Sequence, residues 1–219
     1  MTRLLLDAFC CQGGASAGYA RAGFTVIGVD RDPQPNYPYE FHQGNAIDFI
    51  RQYGGDFDAI HASPPCQFHS HITNAVARAK HVDLIPDTRA ALAAVGGLSV
   101  IENVEGAKLH LVDPVRLCGS SFGLGVRRHR FFELTGFKVD QPACDHKGQG
   151  AVLGVYGNRE LRAYPRPDGS NRGAKATSPA EASRVLGGVD WMTWHGMTQC
   201  LPPAYTRYLG TALMDALNG

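Results

Sequence analysis

The sequence predicts an α/β fold built on a doubly wound, mostly parallel sheet, and three observations carry that expectation. Short apolar runs recur at 3–9, 24–30, 57–62 and 98–104, the length and composition of buried strands. Glycine-rich or helical segments separate them, as in alternating βα architectures. A Gly-Gly turn follows the first run and an acid closes the second, about 20 residues on, as in nucleotide-binding βαβ units.

Arg3 to Phe9 reads as a strand, Cys11-Gln12-Gly13-Gly14 as a turn, and the alanine-rich stretch ending at Gly23 as a helix. Phe24 to Asp30 is a β-branched second strand, parallel to the first. Phe57 to Ala62 and Leu98 to Val104 continue the sheet, with a helical pattern around Asp87 to Val95 between them. Ligands of such sheets lie beyond the carboxyl ends of the strands, where Asp7, Asp30, the Ser63 to Ser70 loop and Glu102 all fall. Arg127 to Glu133 alternates arginine and aromatic residues into a strand. Residues 138 to 180 are rich in Gly, Pro, Arg, Asn and Ser, with one apolar stretch at Ala151 to Tyr156, and read as an insert. Pro179 to Gly188 and Ala204 to Leu217 regain helical periodicity and pack back on the sheet. The expected division is a core at 1–137, the insert at 138–180 and C-terminal helices at 181–219.

The 219 residues, 44% hydrophobic and 19% charged with 26 Gly and 13 Pro, describe a globular, loop-rich chain rather than a disordered one. No apolar run nears the roughly 18–20 residues of a membrane span, and the start lacks a signal peptide. Six cysteines without such a leader fit reduced thiols, so the expectation is a cytoplasmic, membrane-free, monomeric protein. A net charge of +1 gives no global argument for nucleic acid. Local basic clusters carry it instead: Arg127, Arg128, His129 and Arg130, and the looser series Arg159, Arg162, Arg166, Arg172 and Lys175.

Four motifs bear chemistry. Asp7 to Gly14 lets backbone approach a ligand, and Asp30 can accept from ribose hydroxyls; taken alone, Gly-Gly after a strand is as often a plain turn. In Ser63-Pro64-Pro65-Cys66-Gln67 two prolines stiffen the loop and present a thiol, a nucleophile or a buried structural cysteine on the residues alone. Ile101-Glu102-Asn103-Val104 sets a carboxylate at a strand end, where packing has little need of one. Arg127 to Glu133 can grip phosphate or a base, or be a surface cluster.

In this order and spacing the four motifs resemble those of the C5-cytosine DNA methyltransferases. The first family motif, Asp-x-Phe-x-Gly-x-Gly-Gly, is similar to Asp7 to Gly14, with Cys11 at a usual glycine; Pro65-Cys66-Gln67 and Glu102-Asn103-Val104 match directly; and Arg128-x-Arg130 is similar to the arginine motif with its glutamine replaced by Val126. The resemblance implies a Rossmann-like class I S-adenosylmethionine-dependent methyltransferase fold. It also implies Cys66 adding to cytosine C6, Glu102 acting at N3, and Arg128 and Arg130 holding the base. The cofactor is S-adenosyl-L-methionine, lined by Asp7, Phe9, Gln12, Gly13, Gly14, Asp30, Arg31, Asn45, Ala46 and Pro64. The partner is double-stranded DNA with the target base flipped out.

The chain departs from that family in two places. Residues 131 to 183 leave room only for a reduced target-recognition segment, which implies short or relaxed site preference. The late Gly-Asn motif is missing, with Met197 to Gly210 in its place, so a modified donor stays open. RNA or a free nucleotide as substrate, and a catalytically silent DNA-binding protein, are the competing readings; four intact motif residues weigh against the last. Cys118, Cys144 and His146 lack a paired Cys-x-x-Cys, so no metal is expected. His61, His69 and His71 surround the Cys66 loop.

Overall fold

The computed structural model describes residues 3–70, 80–157 and 174–219. Arg159, Arg162, Arg166, Arg172 and His71 lie outside them. Seven strands form one sheet: β1 (Leu4–Ala8), β2 (Thr25–Asp30), β3 (Glu40–Gln43), β4 (Ala59–Ala62), β5 (Leu98–Asn103), β6 (Val115–Leu117) and β7 (Arg130–Thr135). Their order is β3-β2-β1-β4-β5-β7-β6. The first five are mutually parallel, while β7 runs antiparallel to both β5 and β6. The α-helices among the described residues are α1 (Gly14–Arg21), α2 (Ala46–Tyr53), α3 (Ile85–Val95), α4 (Pro179–Leu186), α5 (Trp194–Gln199) and α6 (Pro203–Asn218).

Both sheet faces are covered, which is why the strands read as continuous apolar runs rather than alternating ones. Leu6, Ile60, Ile101 and Phe131 pack with Ile47, Ile50 and Leu92 of α2 and α3. Their neighbours Leu5, Ala59, Val100 and Phe132 face the other way, against Tyr19 of α1 and Tyr205, Leu209 and Leu213 of α6. α1 and α6 cross so closely that a Cβ at Gly18 would collide with Thr206 Oγ1 and the Pro203 carbonyl. Arg3 closes the opposite edge of the sheet, donating 2.8 Å to Asp58 Oδ1 and 2.7 Å to the Leu217 carbonyl, so the start of β1 lies against the end of α6.

The anticipated strands β1, β2, β4 and β5, the strand entered from Arg127 to Glu133 (β7), and the helices at 14–21, 85–95, 179–186 and 203–218 are present within a few residues of their expected limits. β3, β6, α2 and α5 arise where no element is expected. β3 and β6 are short edge strands with few buried residues, and α2 is started by Asn45, whose Oδ1 accepts from the amides of Ile47 and Asp48. The 151–156 stretch joins a third cluster: Val155 and Ala176 pack with Val126, Val185, Leu186 and Met197, and Gly154 bridges Lys175.

Candidate active site

The strand order reverses between β1, which leads outward to β2, and β4, which leads to β5. The loops after β1 and β4 therefore splay apart and leave a crevice at the carboxyl edge. One wall is the turn at 9–13, where Phe9, Cys11 and Gly13 have φ of 62°, 46° and 81°. Such values suit glycine, and Cys11 adopts one with a side chain in place. The Asp30 carboxylate braces this wall, its oxygens accepting from the amides of Cys11 and Asp32 at 3.0 Å each. A carboxylate oxygen has two lone pairs, so both oxygens keep an acceptor site for a diol. Asp7 is buried beneath, with Oδ2 accepting from Ser16 and Oδ1 unpartnered. Burial pushes its carboxyl up to about 7.

The other wall is the Cys66 loop. The Asn103 amide, at the end of β5, donates 2.9 Å to the Pro64 carbonyl and accepts from the Val104 amide at 2.9 Å, so β5 pins the loop. His69, three residues beyond Cys66, pairs with Asp83 at 3.0 Å, and His110 meets the other Asp83 oxygen at 3.2 Å. Glu102 is 7% exposed, and Arg130 Nε meets its Oε1 at 3.0 Å. Burial lifts the Glu102 carboxyl above its usual range against the opposing pull of Arg130 and a hydrogen bond from Ser63. Burial likewise raises the Cys66 thiol, while the Arg130 charge draws it down. One guanidinium thus acts on both groups, and its Nη1 is held by the His129 carbonyl at 2.9 Å.

Ser63 belongs to a buried chain that the motifs do not reveal. Tyr19 meets His61 Nδ1 at 3.0 Å, and His61 Nε2 meets Ser63 Oγ at 2.8 Å. Wholly buried, His61 is driven down to about 3 and stays neutral. Its sequence signal was a histidine inside an apolar strand.

Arg128, expected to hold the base, is half-buried. Its guanidinium donates to the carbonyls of Val155 (2.6 Å), Met197 (3.1 Å) and Cys200, so it clamps the C-terminal segment to the start of β7. Gln12 exchanges bonds with Thr193, at 2.9 Å from its amide and 3.1 Å to its hydroxyl. Gly13 and Gly14 let Tyr37 and the Leu201 carbonyl approach, the latter within 2.6 Å of where a Cβ would stand at Gly14. Asn45 spends its oxygen on the α2 cap. Arg31 is exposed beside Asp32, Ala46 is buried in α2, and Pro64 is buried under the loop.

A sheet of order 3-2-1-4-5-7-6 with an antiparallel seventh strand, an acid closing β2 and a Pro-Cys loop after β4 define the Rossmann-like methyltransferase class of fold. Three solved structures share it along the whole chain. Schizosaccharomyces pombe Dnmt2 methyltransferase aligns with a TM-score of 0.66 at 13% identity, covering 100% of both chains. The Entamoeba histolytica methyltransferase EhMeth gives 0.64 at 16% identity over 99% of each. A Spodoptera frugiperda DNMT2 variant gives 0.59 at 11% identity over 100% of each. No protein-family model and no curated protein matches the sequence.

Proposed function

We propose that this chain is an S-adenosylmethionine-dependent DNA (cytosine-5) methyltransferase whose nucleophile is Cys66. The observation that carries the reading is the shared Arg130 guanidinium, which meets Glu102 at 3.0 Å and acts on the Cys66 thiol across the same crevice. The methyltransferases of like fold support it. Phe9, Gly13, Gly14 and Pro64 would shape the walls around the cofactor, with Asp7 beneath them. Asp30 would accept the ribose hydroxyls, with Arg31, Asn45 and Ala46 at the adenine end and Gln12 fixing the turn. Bound there, S-adenosylmethionine supplies an electrophilic methyl group.

Cytosine C5 is a weak nucleophile until a group adds at C6. Cys66, as thiolate, forms the S–C6 bond, and the ring electrons move toward N3. Burial lifts the Glu102 carboxyl above its usual range, which favours the protonated form that gives N3 a hydrogen bond or its proton as charge develops. The enamine carbon C5 takes the methyl; its proton then passes to solvent, N3 returns any proton it took to Glu102, and the S–C6 bond breaks to return the thiolate. Arg130 steadies the thiolate and orients Glu102. A base in a duplex is out of reach of this crevice, so the target nucleotide must flip out.

Cys66→Ser should abolish methyl transfer and leave S-adenosylmethionine affinity within about twofold, since the thiol belongs to the chemistry and not to cofactor binding. A duplex carrying 5-fluorocytosine should form a covalent adduct that peptide mapping assigns to Cys66. An adduct elsewhere, or full activity in the serine variant, would overturn the mechanism. Parallel assays on duplex DNA and tRNA test the substrate: turnover on tRNA alone would make the enzyme an RNA methyltransferase.

A further inference from the structure

The geometry points to a structural zinc site made by Cys118, His129, Cys144 and His146, independent of the cytosine chemistry. β6 and β7 pair with Leu117 opposite Arg130; one residue beyond each stand Cys118 and His129. The chain leaving β7 then returns over this end of the hairpin. Ser121 Oγ donates 2.8 Å to the Ala143 carbonyl and the Asp145 amide donates 3.1 Å to Ser120 Oγ, which delivers Cys144 and His146 to the same place.

The four ligand atoms all lie within 4.8 Å of one another. Cys118 Sγ is 3.3 Å from His146 Nε2, and Cys144 Sγ is 3.6 Å from His129 Nε2. Tetrahedral zinc, with bonds of about 2.3 Å to sulfur and 2.0–2.1 Å to nitrogen, sets sulfur and nitrogen about 3.5 Å apart. Both pairs match that edge. The Ser120 hydroxyl donates to Cys118 Sγ at 3.1 Å, an outer bond suited to a thiolate. Two thiolates, two neutral imidazoles and one zinc ion carry no net charge, which permits the full burial of Cys118. Four protein ligands close the coordination sphere, the mark of a structural rather than a catalytic site. His129 is bonded in sequence to Arg130, so the metal would tether the chain after β7 to the strand start that presents Arg130 to Glu102.

The full chain, expressed with zinc and purified under reducing conditions without chelator, should carry about one zinc per chain by elemental mass spectrometry. Cobalt exchange should give the visible bands of a tetrahedral two-sulfur, two-nitrogen site. Cys144→Ser and His146→Ala should lose most of the metal, whereas Cys66→Ala should retain it. Should the first two fail to fold, His146→Cys keeps a ligand and should keep the metal with stronger sulfur-to-cobalt absorption. Folded wild-type protein with less than about a tenth of an equivalent and no cobalt bands overturns the proposal. So does a Cys118–Cys144 disulfide in cells quenched with alkylating agent, or full zinc in Cys144→Ser and His146→Ala.

Discussion

Arg130 pairs with Glu102 and its charge draws the Cys66 thiol down, so in the proposed mechanism the pH dependence falls on those two. The thiol must lose its proton and the carboxyl must keep its own: kcat/KM should rise with pH as Cys66 ionises and fall again as Glu102 does. Glu102→Gln should lower kcat by about 10²–10³-fold and remove the alkaline fall, since the amide cannot ionise. An unchanged alkaline limb in a pH–rate profile assigns it to another group. Two other buried residues govern stability, with opposite signs. Asp7 holds its proton up to about pH 7 when folded, against 3.8 unfolded. It therefore favours the folded state at low pH, and that contribution is lost as pH rises from about 4 to 7. His61, at about 3 folded against 6.5 unfolded, weakens the folded state as pH falls below about 6.5. Asp7→Asn removes only the first effect. By urea unfolding the variant should gain on wild type by a few kcal/mol from pH 4 to 7, and its own stability should drop on acidification.

At the scale of elements, the α1–α6 crossing and the Arg89 clamp hold the sheet's coverings. Gly18→Ala forces α6 away and should cost about 1–3 kcal/mol, read as a lower urea midpoint. Arg89 of α3 grips Glu133 of β7 with two bonds, at 2.8 and 2.7 Å, and also takes the His110 carbonyl. Glu133 is buried, so Arg89→Ala strands a charge and should cost about 3–5 kcal/mol. β1, β2, β4 and β5 were legible in the sequence because strands buried on both faces must be continuous and apolar. β3 and β6 were not, because an edge strand has neighbours on one side and little apolar requirement. α2 escaped notice because its start depends on the Asn45 cap rather than a long apolar period.

Over the whole molecule, residues distant in sequence complete one another. Glu102 and Arg130, which pair at 3.0 Å, stood out in the sequence because charged residues at strand ends have few packing reasons to be there. The backbone partners of Arg128 were not legible because residue type does not disclose reach: they lie 27, 69 and 72 residues further along, at Val155, Met197 and Cys200. The cysteine and histidine cluster was discounted on spacing, which assumes paired ligands in one loop, whereas two of these come from facing strand ends. Tyr205, Leu209 and Leu213 of α6 are at most 1% exposed, and each such side chain contributes about 1.5–3 kcal/mol. Removing residues 203–219 should therefore leave no cooperative thermal transition by circular dichroism. The Arg3 contact with the Leu217 carbonyl also makes the chain's connectivity rearrangeable. A short Gly-Ser linker could join residue 219 to residue 3, and new ends could be cut between Gly96 and Gly97, whose positive-φ turn is exposed. That circular permutant would start at β5 and finish with α3, with its scar on the amino edge of the sheet, opposite the crevice.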